Sequence, residues 1–420
     1  IQVKLAPVQI PVAYGPAFEG ETVRRPDTYI EAGGAAKTTA FELLRMLPEE
    51  QVEDGKITLI GKDVEDMPGG GKTPLAIIVD VYGKKMQEDF ESVLERRIHQ
   101  FINFAEGAWH TGQRNAIWIR LSKNSVRAGL RFKHFGDILV TKLKAEFGNI
   151  ISRVQVTIIT DQARIDALLP EALSKHKTRD ERLAGLTDEA VESFYSCSLC
   201  QSFAPDHICI VTPERLGLCG AINWLDAKAS KEIAPTGPNQ PIQKGRAIDA
   251  NKGQWEGVNQ AVFELSHHKL ERFNAYTMME DPMTSCGCFE VIVAMTADAQ
   301  AVVLVNREFP GMTPVGMKFS TLAGSIGGGK QTPGFIGVGR KYILSKKFIF
   351  ADGGFLRIAW MPKELKTQMM DALKKRAEEL GVPDFVDKIA DETITTEAEG
   401  LVEWMVKVHH PALSMPPLLQ

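Results

Sequence analysis

The first 196 residues contain no cysteine, and the six cysteines of this 420-residue chain all lie between Cys197 and Cys288. No apolar stretch reaches the roughly 20 residues that cross a bilayer, and no basic segment leading into an apolar one opens the chain. No membrane association is expected, and a cytoplasmic setting is the default. An excess of one charge is also missing. With 49 basic and 53 acidic residues the net charge is -4, which gives no global attraction to nucleic acid, so any anion site has to be local. A large cytoplasmic chain does not use disulfide staples, so the clustered cysteines point to metal. There is no nucleophile-elbow serine and no metal-binding H-x-x-x-H pair, and no internal repeat or low-complexity tract.

The composition, 44% hydrophobic and 24% charged, is that of a globular protein, and the length exceeds what one core fills, so two or three domains are expected. The chain opens at Ile1, without methionine, in an extended proline-containing segment to Pro16. This start suggests a product whose upstream part is missing.

Strand-like and helix-like patterns alternate in the first part: Leu75 to Val81 (LAIIVDV) and Ala116 to Leu121 (AIWIRL) as strands, Met86 to Ala105 and Phe135 to Phe147 as helices, Val154 to Thr160 as a strand. Such alternation predicts an α/β layer arrangement with a largely parallel sheet. A polar bridge from Ser174 to Glu189 breaks the pattern, and the division is placed at residues 1–168 and 169–420. The second domain reads as mixed α+β. It opens with a helix capped by Thr187, passes through the cysteine region, and continues as strands over Phe289 to Met295 and Ala301 to Val305. Two amphipathic helices, Pro362 to Leu380 and Thr396 to Val408, follow a glycine-rich stretch from Gly324 to Gly339.

The segment YSCSLCQSFAPDHICIVTPERLGLCG spaces Cys197, Cys200, Cys209 and Cys219 as C-x2-C-x8-C-x9-C. Four thiolates in one loop suit either a tetrahedral zinc ion or a four-iron cubane. One C-x-x-C pair with two isolated cysteines is less like a zinc ribbon, which uses two close pairs. The second element is Cys286-Gly287-Cys288. Two thiolates and the amide nitrogens of Gly287 and Cys288 can close fused chelate rings around one ion as a planar N2S2 set, and glycine lets the backbone approach the metal without a Cβ in the way. Planar geometry selects Ni(II) or Cu(II).

This six-cysteine pattern, with FINFAEGAWH before it and GGGKQTPGFIGVG after it, resembles that of the acetyl-CoA synthase subunits of the carbon monoxide dehydrogenase/acetyl-CoA synthase complex, along the whole chain. The resemblance implies a [4Fe-4S] cubane held by Cys197, Cys209 and Cys219, with Cys200 binding the fourth iron and bridging to a proximal nickel. Cys286 and Cys288 would share their sulfurs between that nickel and a distal one, completed by the backbone nitrogens of Gly287 and Cys288. Zinc or copper can replace the proximal nickel in isolated protein. The implied reaction is acyl transfer. A methyl group from a corrinoid iron–sulfur protein combines with carbon monoxide at the proximal nickel, and coenzyme A takes the acetyl group as a thioester, the step that closes the Wood-Ljungdahl route of anaerobic carbon fixation. A carbon monoxide dehydrogenase subunit is the second implied partner, docked in bacterial members through an N-terminal domain that this chain lacks. A non-catalytic iron–sulfur or zinc module in a larger redox complex is the alternative, and the C-G-C tripeptide argues against it.

Phe203, three residues past Cys200, reads either as a movable apolar wall that controls where carbon monoxide binds, as the family suggests, or as packing over the cluster. His207, inside the cysteine loop, suits a hydrogen-bonding role behind the ligands better than ligation. Coenzyme A needs cations and an aromatic face. From Arg114 to Lys144 the chain carries Arg114, Arg120, Lys123, Arg127, Arg131, Lys133, Lys142 and Lys144 against Asp137, with Trp109 and Trp118 alongside. That stretch is either a solvated basic face or the coenzyme A region, and the family, which places the coenzyme near Trp109, favours Trp109, Arg114 and Arg120 as contacts. Two phosphate-loop look-alikes fail: Gln331 follows GSIGGGK, and MPGGGKT lacks the first glycine and continues into Pro74. The first is expected to be a tight loop packing near the metal site.

Overall fold

The computed structural model describes residues 7–19, 23–34, 38–202, 204–220, 222–287 and 289–419, so Phe203 and Cys288 lie outside the described residues. The chain divides into two compact units, Ile1–Ala184 with Leu225–Gly237, and Gly185–Trp224 with Pro238–Gln420. Among the described residues no helix is long and apolar enough to cross a membrane.

The first unit contains strands β1 (Thr28–Gly33), β2 (Ala40–Met46), β3 (Ile57–Ile60), β4 (Gly71–Thr73), β5 (Leu75–Tyr82), β6 (Ala108–Thr111), β7 (Trp118–Ser122) and β8 (Arg153–Ile159). Its helices are α1 (Glu91–Asn103), α2 (Lys123–Arg127), α3 (Lys133–Phe147), α4 (Gln162–Glu181) and most of α5 (Trp224–Ile233). The sheets run β2-β5-β8-β3 and β4-β1-β7-β6. In β5 the side chains of Leu75, Ile77, Val79 and Val81 enter the core shared with α1 and α3, and those of Ala76 and Ile78 join Ile165 and Ala172 of α4 on the other face. Covering both faces is what makes LAIIVDV a continuous apolar run.

Three expectations need correction. The sheets are mixed, because β2/β5 and β3/β8 are parallel but β5/β8 and β1/β7 are antiparallel. Alternation shows that helices cover strands without fixing strand direction, and the path from β5 to β8 holds α1, the β6/β7 pair, α2 and α3 rather than a single crossover helix. Secondly, the polar bridge after Ser174 is helical as far as Glu181, so the expected boundary at 168 falls inside α4. Two of its polar residues are inside the fold: Arg179 bonds Glu91 and Glu95 of α1, and His176 lies 3.3 Å from Glu95. Thirdly, the helix expected after Thr187 is a single 3-10 turn, Asp188–Ala190. Asp188 is fully buried, accepting from Thr212 Oγ1, the Glu214 amide and the Tyr276 hydroxyl, which pins the turn.

The FINFAEGAWH segment joins α1 to β6 through one side chain. Asn103 accepts from the His110 amide at 2.7 Å and donates to the His110 carbonyl at 2.8 Å, and the His110 ring reaches the buried Glu42 carboxylate at 2.9 Å.

The second unit holds strands β9 (Ser193–Cys197), β10 (Cys209–Val211), β11 (Pro241–Gln243), β12 (Ala247–Asp249), β13 (Gln254–Trp255), β14 (Val291–Met295), β15 (Val302–Asn306), β16 (Phe335–Val338) and β17 (Ile358–Trp360). Its helices are α6 (Glu256–Leu265), α7 (Phe319–Ile326), α8 (Arg340–Leu344), α9 (Lys363–Glu379), α10 (Phe385–Lys388) and α11 (Ala398–Lys407). The sheet β16-β14-β15-β17 is buried on both sides. Val302 and Leu304 of β15 pack toward α9 residues Leu365, Met369 and Leu373, and Val303 packs with Trp360, Leu401 and Met405. This is the period-2 split of a strand between two layers. The small antiparallel sheet β10-β9-β11 carries the cysteine loop.

Candidate metal centre

Strand β9 ends on Cys197 and β10 begins on Cys209, and the two residues are register partners across the antiparallel pair. Eleven intervening residues therefore form a closed loop whose ends put two thiols side by side. The loop is tethered along its length. Ser196 and Ser198 amides donate to the Gln240 and Pro238 carbonyls, a 3-10 turn over Leu199–Ser202 presents half-buried Cys200, and Gln201 Nε2 donates to the Leu265 carbonyl at 2.9 Å. Past Val211 the chain turns back, with the Gly217 amide on the Ile222 carbonyl and the Gly220 amide on the Gly217 carbonyl, to present Cys219. Gly220 has φ +72°, and a Cβ there would stand 2.2 Å from a Glu290 carboxylate oxygen, so this turn requires glycine.

Burial pushes the Cys209 thiol up to about 12, and the Cys197 sulfur beside it adds to the effect. The buried Arg215 guanidinium and the Leu218 amide pull the other way, and Cys219 again raises it. Three sulfurs thus lie close enough to act on one another, in a patch where burial disfavours the charged form of Cys209. The donors are soft, which suits iron–sulfur, zinc, nickel or copper. Among the described residues no three His, Cys, Asp or Glu side chains surround a single ion-sized point. A cubane takes its thiolates at separate irons, so its ligands are spread around it and do not meet at a point.

The second element lies against the first. Thr284, Ser285 and Cys286 are buried, and Thr284 Oγ1 is 2.8 Å from His207 Nδ1, which ties the segment before the C-G-C tripeptide to the cysteine loop. Gly287 has φ +123° with no atom within 4 Å of a built Cβ. The backbone here is therefore open on one side, as a chelating peptide needs. The glycine-rich loop after α7 packs against both elements: the Gly329 amide donates to the Ser285 carbonyl at 3.0 Å, and a Cβ at Gly329 would meet the His207 backbone nitrogen at 3.1 Å. It runs into strand β16, so its amides face no phosphate site at a helix start, and MPGGGKT contributes strand β4. His207 hydrogen-bonds behind the cysteines, and Cys197, Cys200, Cys209, Cys219, Cys286 and Gly287 all belong to the second unit.

Residues 176–419 match the family described as the C-terminal part of the ACS/CODH beta subunit, and residues 10–165 match that of the CO dehydrogenase/acetyl-CoA synthase complex beta subunit. The chain belongs to this acetyl-CoA synthase family. It is 56% identical over 413 residues to the carbon monoxide dehydrogenase/acetyl-CoA synthase subunit alpha of Moorella thermoacetica, covering 98% of this chain and 56% of that protein. It is 45% identical over 405 residues to the acetyl-CoA decarbonylase/synthase complex subunit beta of Methanopyrus kandleri, covering 96% of this chain and 85% of that one. A solved C-terminal domain of an acetyl-Coenzyme A synthase alpha subunit is 51% identical, covers 32% of this chain and all of that domain, and has a TM-score of 0.30. The chain thus spans about half the length of the Moorella relative and most of the length of the Methanopyrus one.

In this acetyl-CoA synthase family member the residues expected to contact coenzyme A lie in the first unit, Trp109 on β6, Arg120 on β7 and Arg114 in the turn between them. Trp109 is the register partner of Arg120, whose guanidinium lies 4.8 Å from the Trp109 ring and 4.5 Å from that of Trp118. Half of the basic residues in this stretch are matched by acids from elsewhere in the chain. Arg114 bonds Asp180, Arg120 bonds Glu31, Arg131 bonds Glu65 and Lys144 bonds Asp54. Sequence proximity could not show these partners, because they are 66 to 90 residues away. Two arginines that no motif singled out also stand at the metal region: Arg215, buried between Phe273 and Tyr342, and Arg307, whose Nη2 donates to the Gly287 carbonyl.

Proposed function

We propose that this chain is the acyl-forming subunit of its complex, an acyltransferase that joins a methyl group, carbon monoxide and coenzyme A into acetyl-CoA. The observation that carries the reading is the pairing of two cysteine elements in one place: Cys197 opposite Cys209 with Cys219 beside them, and Cys286-Gly287 roped to the same loop through His207 and Thr284. Cys197, Cys209 and Cys219 would hold a [4Fe-4S] cubane, and Cys200 would link it to a proximal nickel. Cys286, Gly287 and Cys288 would hold a distal nickel. When bound, the metals supply the organometallic chemistry that joins two one-carbon groups, which no side chain offers. The protein's own part is positioning and exclusion of water. Buried Ile208, Ile210 and Ala204 keep the loop dry, and Phe203 is assigned the apolar wall over it. The thiol substrate's cationic and aromatic contacts are assigned to Trp109, Arg114 and Arg120, the methyl donor is a corrinoid iron–sulfur protein, and carbon monoxide comes from a dehydrogenase subunit.

The test is metal analysis of anaerobically purified chain together with exchange of the acetyl-CoA carbonyl against carbon monoxide. Iron and nickel with nickel-dependent exchange are expected; a full iron complement with no such exchange leaves an electron-transfer module and overturns the reading. Cys286→Ala is expected to abolish nickel uptake while the iron–sulfur absorption stays. Loss of the iron signal as well would contradict the division of ligands.

A further inference from the structure

The carbonyl of Gly287 belongs to the peptide whose nitrogen, on Cys288, is one of the two backbone donors in the proposed distal nickel chelate. Arg307 Nη2 donates to that carbonyl oxygen at 2.9 Å. The contact is built into the fold at several levels. Arg307 follows Asn306, the last residue of β15, and Asn306 is the register partner of Val291 at the start of β14. The central strand pair therefore delivers the guanidinium to the segment just before β14, which is where the tripeptide lies. The half-buried side chain is steadied by the Phe319 ring, 5.8 Å from the guanidinium carbon, and Phe319 packs 6.0 Å from Phe289, the residue after the tripeptide.

A peptide nitrogen that binds a metal as an anion gives its proton to the buffer and its electron pair to the metal, and nickel stays divalent. Amide resonance then spreads the charge onto the carbonyl oxygen of the same peptide. Two thiolates and two such nitrogens leave the chelate with net negative charge. A guanidinium on that oxygen forms a charge-assisted bond about twice as strong as a neutral one, and that bond holds the carbonyl in one direction.

We propose that Arg307 is a positioning residue for nickel: it orients the Gly287–Cys288 peptide and offsets the charge that peptide takes on when its nitrogen binds the metal. The assignment rests on the chelate reading of Cys286-Gly287-Cys288 and concerns affinity for the ion, with no contact to substrate.

The experiment is anaerobic titration of the full chain, its cubane reconstituted, with nickel(II) against a competing chelator, followed by the ligand-field absorption of planar nickel and by the cubane absorption. Arg307→Gln is expected to weaken nickel binding on the order of tenfold with the cubane absorption unchanged, and Arg307→Lys, which keeps the charge, to recover most of the loss. Should the glutamine variant lose its cubane absorption, Arg307→Met is read by the same criterion. Nickel affinity within twofold of the parent in a folded Gln or Met variant overturns the assignment. A lysine variant as weak as the glutamine one overturns the charge offset, since a purely structural role follows shape. If the parent takes up no more nickel than Cys286→Ala, the chelate reading falls, and the assignment falls with it.

Discussion

Two glycines at the metal region are required for different physical reasons, and their substitution separates strain from crowding. At Gly220 both apply, because φ is +72° and a Cβ would stand 2.2 Å from a Glu290 oxygen. That carboxylate also accepts from the Arg340 amide at 2.7 Å, so it cannot yield cheaply. Gly220→Ala is expected to cost about 1–3 kcal/mol from strain alone, read by urea unfolding, and to lower the iron content because the turn presents Cys219. At Gly287 the space is open and only the φ of +123° opposes a side chain. Gly287→Ala should leave unfolding within about 1–3 kcal/mol of the parent and act mainly on nickel uptake; iron loss there would contradict the separation. Gly287 is singled out by the sequence, since a glycine between two cysteines leaves the backbone without a Cβ in the way. Gly220 is not, because the obstacle is a carboxylate 70 residues away.

At the level of elements, the strongly periodic strands and helices followed from the sequence, while the stretch around Thr187 and the strand partners did not. LAIIVDV reads as a strand, yet nothing in it says that β8 pairs antiparallel. The stretch from Ser174 looked like a linker because it is polar. It is helix because Arg179 is drawn into the fold by Glu91 and Glu95. Burial would push Glu95 up, but Arg179 and His176 outweigh it and hold the carboxylate well below the ordinary range. This contribution to stability is therefore present above the ordinary glutamate pKa and fades as pH falls below it.

His410, just past α11, gives a sharper case of pH dependence. Its Nε2 donates to the Ile358 carbonyl of β17 at 3.0 Å, and its Nδ1 accepts from the Ala412 amide at 3.2 Å, an arrangement for neutral imidazole only. Burial lowers its pKa to about 4. The unfolded chain takes up the proton near pH ~6.5, so the contribution is complete above that pH and is lost as pH falls toward 4. His410→Phe removes the two bonds and the titration together. The stability difference between parent and variant should shrink by about 1–3 kcal/mol from pH 7.5 to 4.5, measured by urea unfolding. A constant difference would refute the assignment of a neutral, buried imidazole.

For the whole molecule, two compact units with all the cysteines in one of them imply unequal response to metal. A ligand that binds only the folded form raises stability by mass action, about 4 kcal/mol when present at 1,000 times its dissociation constant. Metal binding is coupled to folding in the same way. Calorimetry of the chain with and without the reconstituted cubane should therefore show two transitions, one unmoved and one raised on the order of 10 °C. A single transition that shifts as one would mean that the units unfold as one cooperative block.

The sequence by itself determined which residues carry sulfur, how they are spaced, and that one tripeptide can present sulfur and backbone nitrogen in a plane. These follow from residue identity and short spacing, which chain connectivity alone enforces. Only the tertiary structure decided that Cys197 faces Cys209 across a strand pair, that His207 and Thr284 bring the two cysteine elements together, and that Arg307 meets the Gly287 carbonyl. The same holds for the basic stretch, where Arg114, Arg120, Arg131 and Lys144 are answered by distant acids. Strand register, long-range hydrogen bonds and ion pairs depend on which surfaces pack together, and packing joins residues whose separation along the chain carries no local signal.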